Sequence, residues 1–277
     1  MRRVALALAV ALAAAACRAG EEPSAPVAPV APAAPSRPSP PPPPPVARAP
    51  EPAPSTWPIP ETAKQLITAR IVNWASTRAT LQRYRRAGHA WMPEGAPWPA
   101  VIGRTGAAWG AGLHGVGAPG DREGPVKREG DGKSPAGAFA LHGAYGYAAQ
   151  PPAGTRVPYT ALDEGWQCIE DTRSAHYNQI LDRRRTAIDW TSTDRMRRRD
   201  DLFTWIVDVA HNPARTPGAG SCIFLHVWQG ETKTTHGCTA MEEPRLAALI
   251  AGLDPTAVYV LLPDAEYAAL AQAWQLP

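Results

Sequence analysis

Ser221-Cys222-Ile223-Phe224-Leu225-His226, followed nine residues later by Thr235-His236-Gly237-Cys238-Thr239, is the stretch on which the reading of this chain turns. The first piece is a short apolar run of the kind that forms a buried strand. The second is a polar turn with a glycine beside a thiol. Glycine lets the backbone turn tightly and leaves bare N–H groups next to the sulfur. Twelve residues separate His226 from Cys238, enough for a strand to turn and return and to set an imidazole beside a thiol. A nucleophilic cysteine needs such a neighbour and partial exposure. The pair would attack a carbonyl, and His226 would protonate the leaving amine. The N–H groups of Gly237 and Cys238 would hold the oxyanion. Two other readings of the same residues stand beside this one. Cys222, His226, His236 and Cys238 are four potential zinc ligands, although the one-residue spacing of the last two is unusual for a zinc site. Taken singly, His226 is also explained as a core histidine.

Outward from this stretch the texture is that of a mainly β domain with a mixed, largely antiparallel sheet and a few flanking helices. Short β-branched and aromatic runs between Gly/Pro/Asp turns predict strands at Ala100–Arg104, Gly137–Leu141, Trp166–Glu170, Phe203–Ala210, Ser221–Trp228 and Ala257–Leu262. Helices are predicted from Pro244 to Ala251, stopping at Gly252, and from an N-cap at Asp264 to Trp274. Glu61 to about Arg86 has Leu66, Ile67, Ile71, Trp74 and Leu81 near helical spacing and contains neither Pro nor Gly, which predicts a helical segment over 61–90. Lys127–Gly137 is a glycine-rich loop without the Gly-Lys-Ser/Thr ending of a phosphate loop. Arg183–Arg185 and Arg197–Arg199 read as solvated charge.

The other end of the chain cannot belong to any core. Of 32 prolines in 277 residues, 17 fall between Pro23 and Pro60. Each removes a backbone donor and fixes φ, so residues 18–60 are an extended, disordered linker that reaches on the order of 100 Å as polyproline II. Before it, residues 1–17 hold two arginines and an unbroken apolar run, the n- and h-regions of a signal peptide. Ala14-Ala15-Ala16-Cys17 resembles the lipobox of bacterial lipoproteins, which implies lipidation at Cys17 and a membrane anchor. Ordinary cleavage after an Ala-x-Ala, leaving Cys17 incidental, is the alternative; both export the protein. The remaining domain, 91–277, would carry the function. A net charge of +3, about +1 without Arg2 and Arg3, excludes the strong basic excess of a dedicated nucleic-acid binder.

Four cysteines are present, Cys17, Cys168, Cys222 and Cys238. With Cys17 lipidated the count is odd, which flags one free thiol in an exported protein. Cys168 and Cys222 lie in strand-like, structural settings; Cys238 fits the reactive one.

His226 followed by Thr235-His236-Gly237-Cys238 resembles the signature of the L,D-transpeptidase (YkuD-type) family. The resemblance extends to Lys127–Gly137 with the strand after it, to Cys168–Asn178 (CIEDTRSAHYN) and to Gly218–Trp228 (GAGSCIFLHVW), roughly residues 99–263 in all. It implies a β-rich catalytic domain that needs no metal or organic cofactor. Cys238 would form a thioester with a peptidoglycan stem tetrapeptide and release D-Ala. It would then pass the acyl group to an amine, making a 3→3 cross-link, or to water. His236, Gly237 and Thr235 would shape the turn and oxyanion pocket. Cys168 and Cys222 would pair, leaving Cys238 free. Ala240 stands where the family commonly has Asn. The implied setting is the periplasm, with the anchor favouring the outer membrane through Arg18 after Cys17. Other functions compatible with the residues are a cysteine peptidase or amidase on other wall peptides, and a non-catalytic wall-binding lipoprotein.

Overall fold

In the computed structural model, residues 58–277 are described. The predicted leader, Cys17 and all but the last three positions of the linker lie outside the described residues; of those three, Ile59 is buried in the main core, so the predicted linker boundary at residue 60 is corrected to end before it. The described chain is β-rich. Its strands are β1 (Gln65–Ile71), β2 (Arg78–Ala87), β3 (Ala90–Val101), β4 (Ala107–Trp109), β5 (Ala111–Gly112), β6 (Gly115–Val116), β7 (Ser134–Gly146), β8 (Tyr159–Ala161), β9 (Trp166–Ile169), β10 (Ile180–Asp182), β11 (Thr193–Arg195), β12 (Trp205–Val209), β13 (Phe224–Val227), β14 (Thr239–Met241) and β15 (Val258–Pro263). Two helices, α1 (Glu243–Ala251) and α2 (Asp264–Leu270), complete it.

The main sheet runs in the order β12-β13-β14-β3-β2-β1-β15-β7-β4. Long β7 pairs with β15 through its first half and with β12 through its second, so the sheet returns on itself. β15 is its centre: Val258–Pro263 is buried at every position between parallel β1 and antiparallel β7. A strand covered on both faces reads as a continuous apolar run rather than an alternating one. A second sheet, β10-β9-β11, is small and antiparallel. It packs on β12 and β13 through a separate cluster of Leu162, Met196, Phe203, Ile206 and Phe224.

Five of the six predicted strands coincide with observed ones, with shifted ends; of Ala100–Arg104 only Ala100 and Val101 lie in a strand, at the end of β3. The helical segment predicted over 61–90 is corrected: it forms β1 and β2, and β3 pairs along β2, so it belongs to the main sheet rather than preceding it. The physical reason lies in β1. Six of its seven residues are buried, more than the one stripe a surface helix covers, and the supposed helical spacing is that two-faced burial. Asn73 supplies the break that no Pro or Gly marks. Its side chain accepts from the Ala75 N–H (3.0 Å) and the Ser76 hydroxyl (3.3 Å), closing an Asx turn. Beyond it, Ala79 and Leu81 alternate inward along β2.

α1 matches the prediction, with proline in its first turn and Gly252 at its end. α2 is shorter than predicted and ends at Leu270. Asp264 is its first helical residue rather than its cap; the carboxylate instead pairs with Arg70 at 2.7 Å.

Candidate active site

Alternation along β13 divides its side chains between two environments. Leu225 and Val227 enter the main core, while Phe224 joins the smaller cluster and His226 faces the same side. β14 pairs with β13 in parallel, His226 beside Ala240. Thr239 and Met241 turn to the core, where the Thr239 hydroxyl meets Tyr259 at 2.8 Å. Cys238, two residues before Ala240, therefore shares the face of His226. Cys238, Ala240 and His226 line one cavity of about 310 Å³, with Phe203, Arg198 and Asp194 opposite them in sequence origin.

The turn that presents Cys238 is held from three directions. The Thr235 hydroxyl donates to the Cys238 carbonyl (2.6 Å) and accepts from the Gly237 N–H (3.1 Å). Thr235 is itself locked to the chain after β3, by its N–H to Ile102 O and by Arg104 N–H to its carbonyl. Buried Ser134, opening β7, donates to the Gly237 carbonyl (2.7 Å), lies 3.1 Å from that of Cys238, and accepts from the Gly103 N–H (3.0 Å). Gly237 has φ +150°, and a Cβ there would lie 3.0 Å from the Lys133 carbonyl. The glycine is thus required by the close approach of the 127–133 loop. That loop is clipped around Asp131, whose carboxylate accepts from Lys127 Nζ and from the N–H groups of Arg128 and Lys133.

These bonds correct one expectation. The Gly237 N–H is spent on Thr235, so it does not serve an oxyanion. The Cys238 N–H has no partner among the described residues and is the donor the turn offers.

His226 is buried, with its Nδ1 2.7 Å from the Val227 carbonyl. A carbonyl only accepts, so Nδ1 carries the hydrogen and Nε2 holds the free lone pair of the neutral ring. The ring stands edge-on to Phe203, with centroids 5.5 Å apart. Burial lowers its pKa to about 4. Burial also pushes the partly exposed Cys238 thiol up to about 12, against the opposing effect of the Phe224 N–H, which donates to Sγ at 3.3 Å. The resting pair is a neutral thiol and a neutral imidazole. Sγ–H points to the Cys222 carbonyl at 3.5 Å.

Cys168 and Cys222 are joined by a disulfide, Cα to Cα 5.9 Å, and Cys238 is free. The zinc reading fails on this point, because a disulfide sulfur is no thiolate ligand. Cys222 is not in the strand, as the sequence suggested. It has φ +56°, and its N–H donates to Asn178 Oδ1 at 3.0 Å. The disulfide and Asn178 together fix the segment that supplies both hydrogen-bond partners of Sγ. Exposed His236 stands at the rim of the cavity.

Arg197–Arg199 is not simply solvated charge. Arg197 and Arg199 are exposed, but Arg198 turns into the cavity wall, with ion pairs to Asp194 (3.2 Å) and Asp200 (3.0 Å) and its guanidinium over Phe203. Arg183–Arg185 is exposed as expected, Arg184 pairing with Asp163 and Asp182. Ser134, Asp194 and Arg198 were missed in the sequence, and their local context held no signal for them: each acts across a long stretch of chain. A second cavity, of about 290 Å³ and including His142, Asp208 and His211, borders the disulfide without reaching Cys238 or His226.

No family model, curated protein or solved structure matches the chain.

Proposed function

We propose that the protein is a peptidoglycan L,D-transpeptidase of YkuD-like fold, an exported cysteine acyltransferase. The observation that carries this reading is the parallel β13–β14 register, which sets the free thiol of Cys238 and the unengaged Nε2 of His226 on one cavity. The disulfide between Cys168 and Cys222 supports an oxidising compartment, in keeping with a leader, a lipid anchor at Cys17 and a periplasmic site of action.

Binding of a stem tetrapeptide excludes water and brings its carbonyl to Sγ. The thiol proton passes to His226 Nε2 as the C–S bond forms, and the Cys238 N–H receives the oxyanion. Burial disfavours the imidazolium, so the proton is readily given up to the departing D-Ala amine. The thioester then yields to an amine, giving a 3→3 cross-link, or to water. Supplied with a disaccharide-tetrapeptide, the protein is expected to release D-Ala and produce cross-linked dimer or tripeptide, with neither from Cys238→Ala. Cleavage of an unrelated peptide bond, with D-Ala retained, would point to an amidase instead.

A further inference from the structure

The small sheet brings Asp194 to the same cavity and sets Glu170 near it. In the β9–β11 register Cys168 lies opposite Asp194, and Glu170 follows two residues on, its N–H donating to Ser192 O at 3.2 Å. Residues two apart share a strand face, so Cys168, Glu170 and, across the ladder, Asp194 sit on one side. The disulfide identifies that side as the one facing Cys222 and the lead-in to Phe224 and Cys238. Asp194 lines the cavity. Its Oδ1 accepts from Arg198, and its Oδ2 accepts from none of the described residues. Arg198 is shared with Asp200, so these three groups leave one net negative charge at the wall. Lys233 and His236 stand on the loop across the rim.

Both Asp194 and Glu170 hold the Cys238 thiol up. Acylation sends its proton to His226 and makes no use of either carboxylate, so their work belongs to a later step. Burial raises the Glu170 carboxyl to about 7, where it exchanges a proton near neutrality.

We propose that Asp194, with Glu170 beside it, is the acceptor-selecting wall of the active site, receiving the ammonium of an incoming primary amine and directing it to the thioester in preference to water. This rests on the transpeptidase reading above. The amine enters as R-NH₃⁺ and gives one proton to the Glu170 carboxylate. Its nitrogen forms the C–N bond with the thioester carbonyl, the C–S bond breaks, and a second nitrogen proton passes through His226 to the departing Sγ. Amide, thiol and protonated Glu170 remain; the last returns its proton to solvent.

The test compares wild type with Asp194→Asn and Glu170→Gln, using a disaccharide-tetrapeptide as both donor and acceptor. Intact mass reads acylation of Cys238, and chromatography reads the ratio of dimer to tripeptide. In each variant the acyl adduct is expected at close to the wild-type rate, with the dimer-to-tripeptide ratio at least tenfold lower. Asp163→Asn removes an equal charge from a carboxylate that pairs with Arg184 and does not line this cavity, and is expected to leave that ratio unchanged. An unchanged ratio in both acid variants, or an equal fall in Asp163→Asn, would overturn the proposal. Absence of any adduct on wild type would overturn the transpeptidase reading beneath it. Where Asp194→Asn fails to fold, Glu170→Gln alone decides.

Discussion

His226 and His211 look alike by burial and differ in what their nitrogens do. Both are almost fully buried, and burial brings both to a pKa of about 4. His211 has both nitrogens engaged: Nδ1 accepts from the Ala111 N–H at 3.3 Å, and Nε2 donates to the Ala219 carbonyl at 3.0 Å. It is a strut between β5 and the loop before β13. His226 uses only Nδ1 and turns the other nitrogen toward the cavity that holds a free thiol. Burial or a depressed pKa alone therefore does not mark a catalytic histidine here. What singles out His226 is a free ring nitrogen on the cavity that holds a free thiol; the Nε2 of His114 is also without a partner among the described residues, but His114 does not line that cavity.

The comparison breaks most visibly on activity. His226→Asn is expected to lower kcat/KM by about a thousandfold, the scale of a general acid–base group, while leaving the thermal transition nearly unchanged. Steady-state kinetics and a melting curve on the same preparation check it. His211→Asn should do the reverse among folded molecules, with kcat/KM within a few-fold of wild type. A smaller loss of activity is expected from Ser134→Ala. It removes the hydroxyl that Gly237 and Gly103 both use, so the turn around Cys238 loosens. A fall of roughly ten- to a hundredfold in acylation rate should follow from such misplacement, measured as adduct formation in a single turnover.

On stability, His211→Ala leaves the Ala111 N–H and the Ala219 carbonyl unpartnered. Denaturant unfolding is expected to show a loss of about 2 kcal/mol. A pH-dependent effect is shared by the two histidines. Their folded pKa lies below the unfolded 6.5, so below that pH the unfolded chain binds protons that the folded one does not. Stability is thus fully present above about pH 6.5 and falls as pH drops toward 4. His211→Asn and His226→Asn should each flatten that acid limb, measured by unfolding across pH 4–7.

Much of this was legible in the chain. Residues 221–228 form a short apolar run close to turn residues, and the turn chemistry of Thr235–Cys238 is local, so the strand, His226 and Cys238 could be read directly. β1 could not, because a strand buried on both faces has no period of two and mimics a helical stripe. β4–β6, β8, β10 and β11 are two or three residues long and too short to carry a period at all. The spent N–H of Gly237 depends on which way one hydroxyl points. Asp194, Arg198 and Ser134 reach the site only through strand registers and a disulfide that no short window contains.

The most direct measurement is intact mass of the protein during turnover of the disaccharide-tetrapeptide, with peptide mapping of any adduct. The account predicts a mass increase equal to the substrate less D-Ala, located on the Cys238 peptide and absent from Cys238→Ala. Turnover that persists in Cys238→Ala would contradict it.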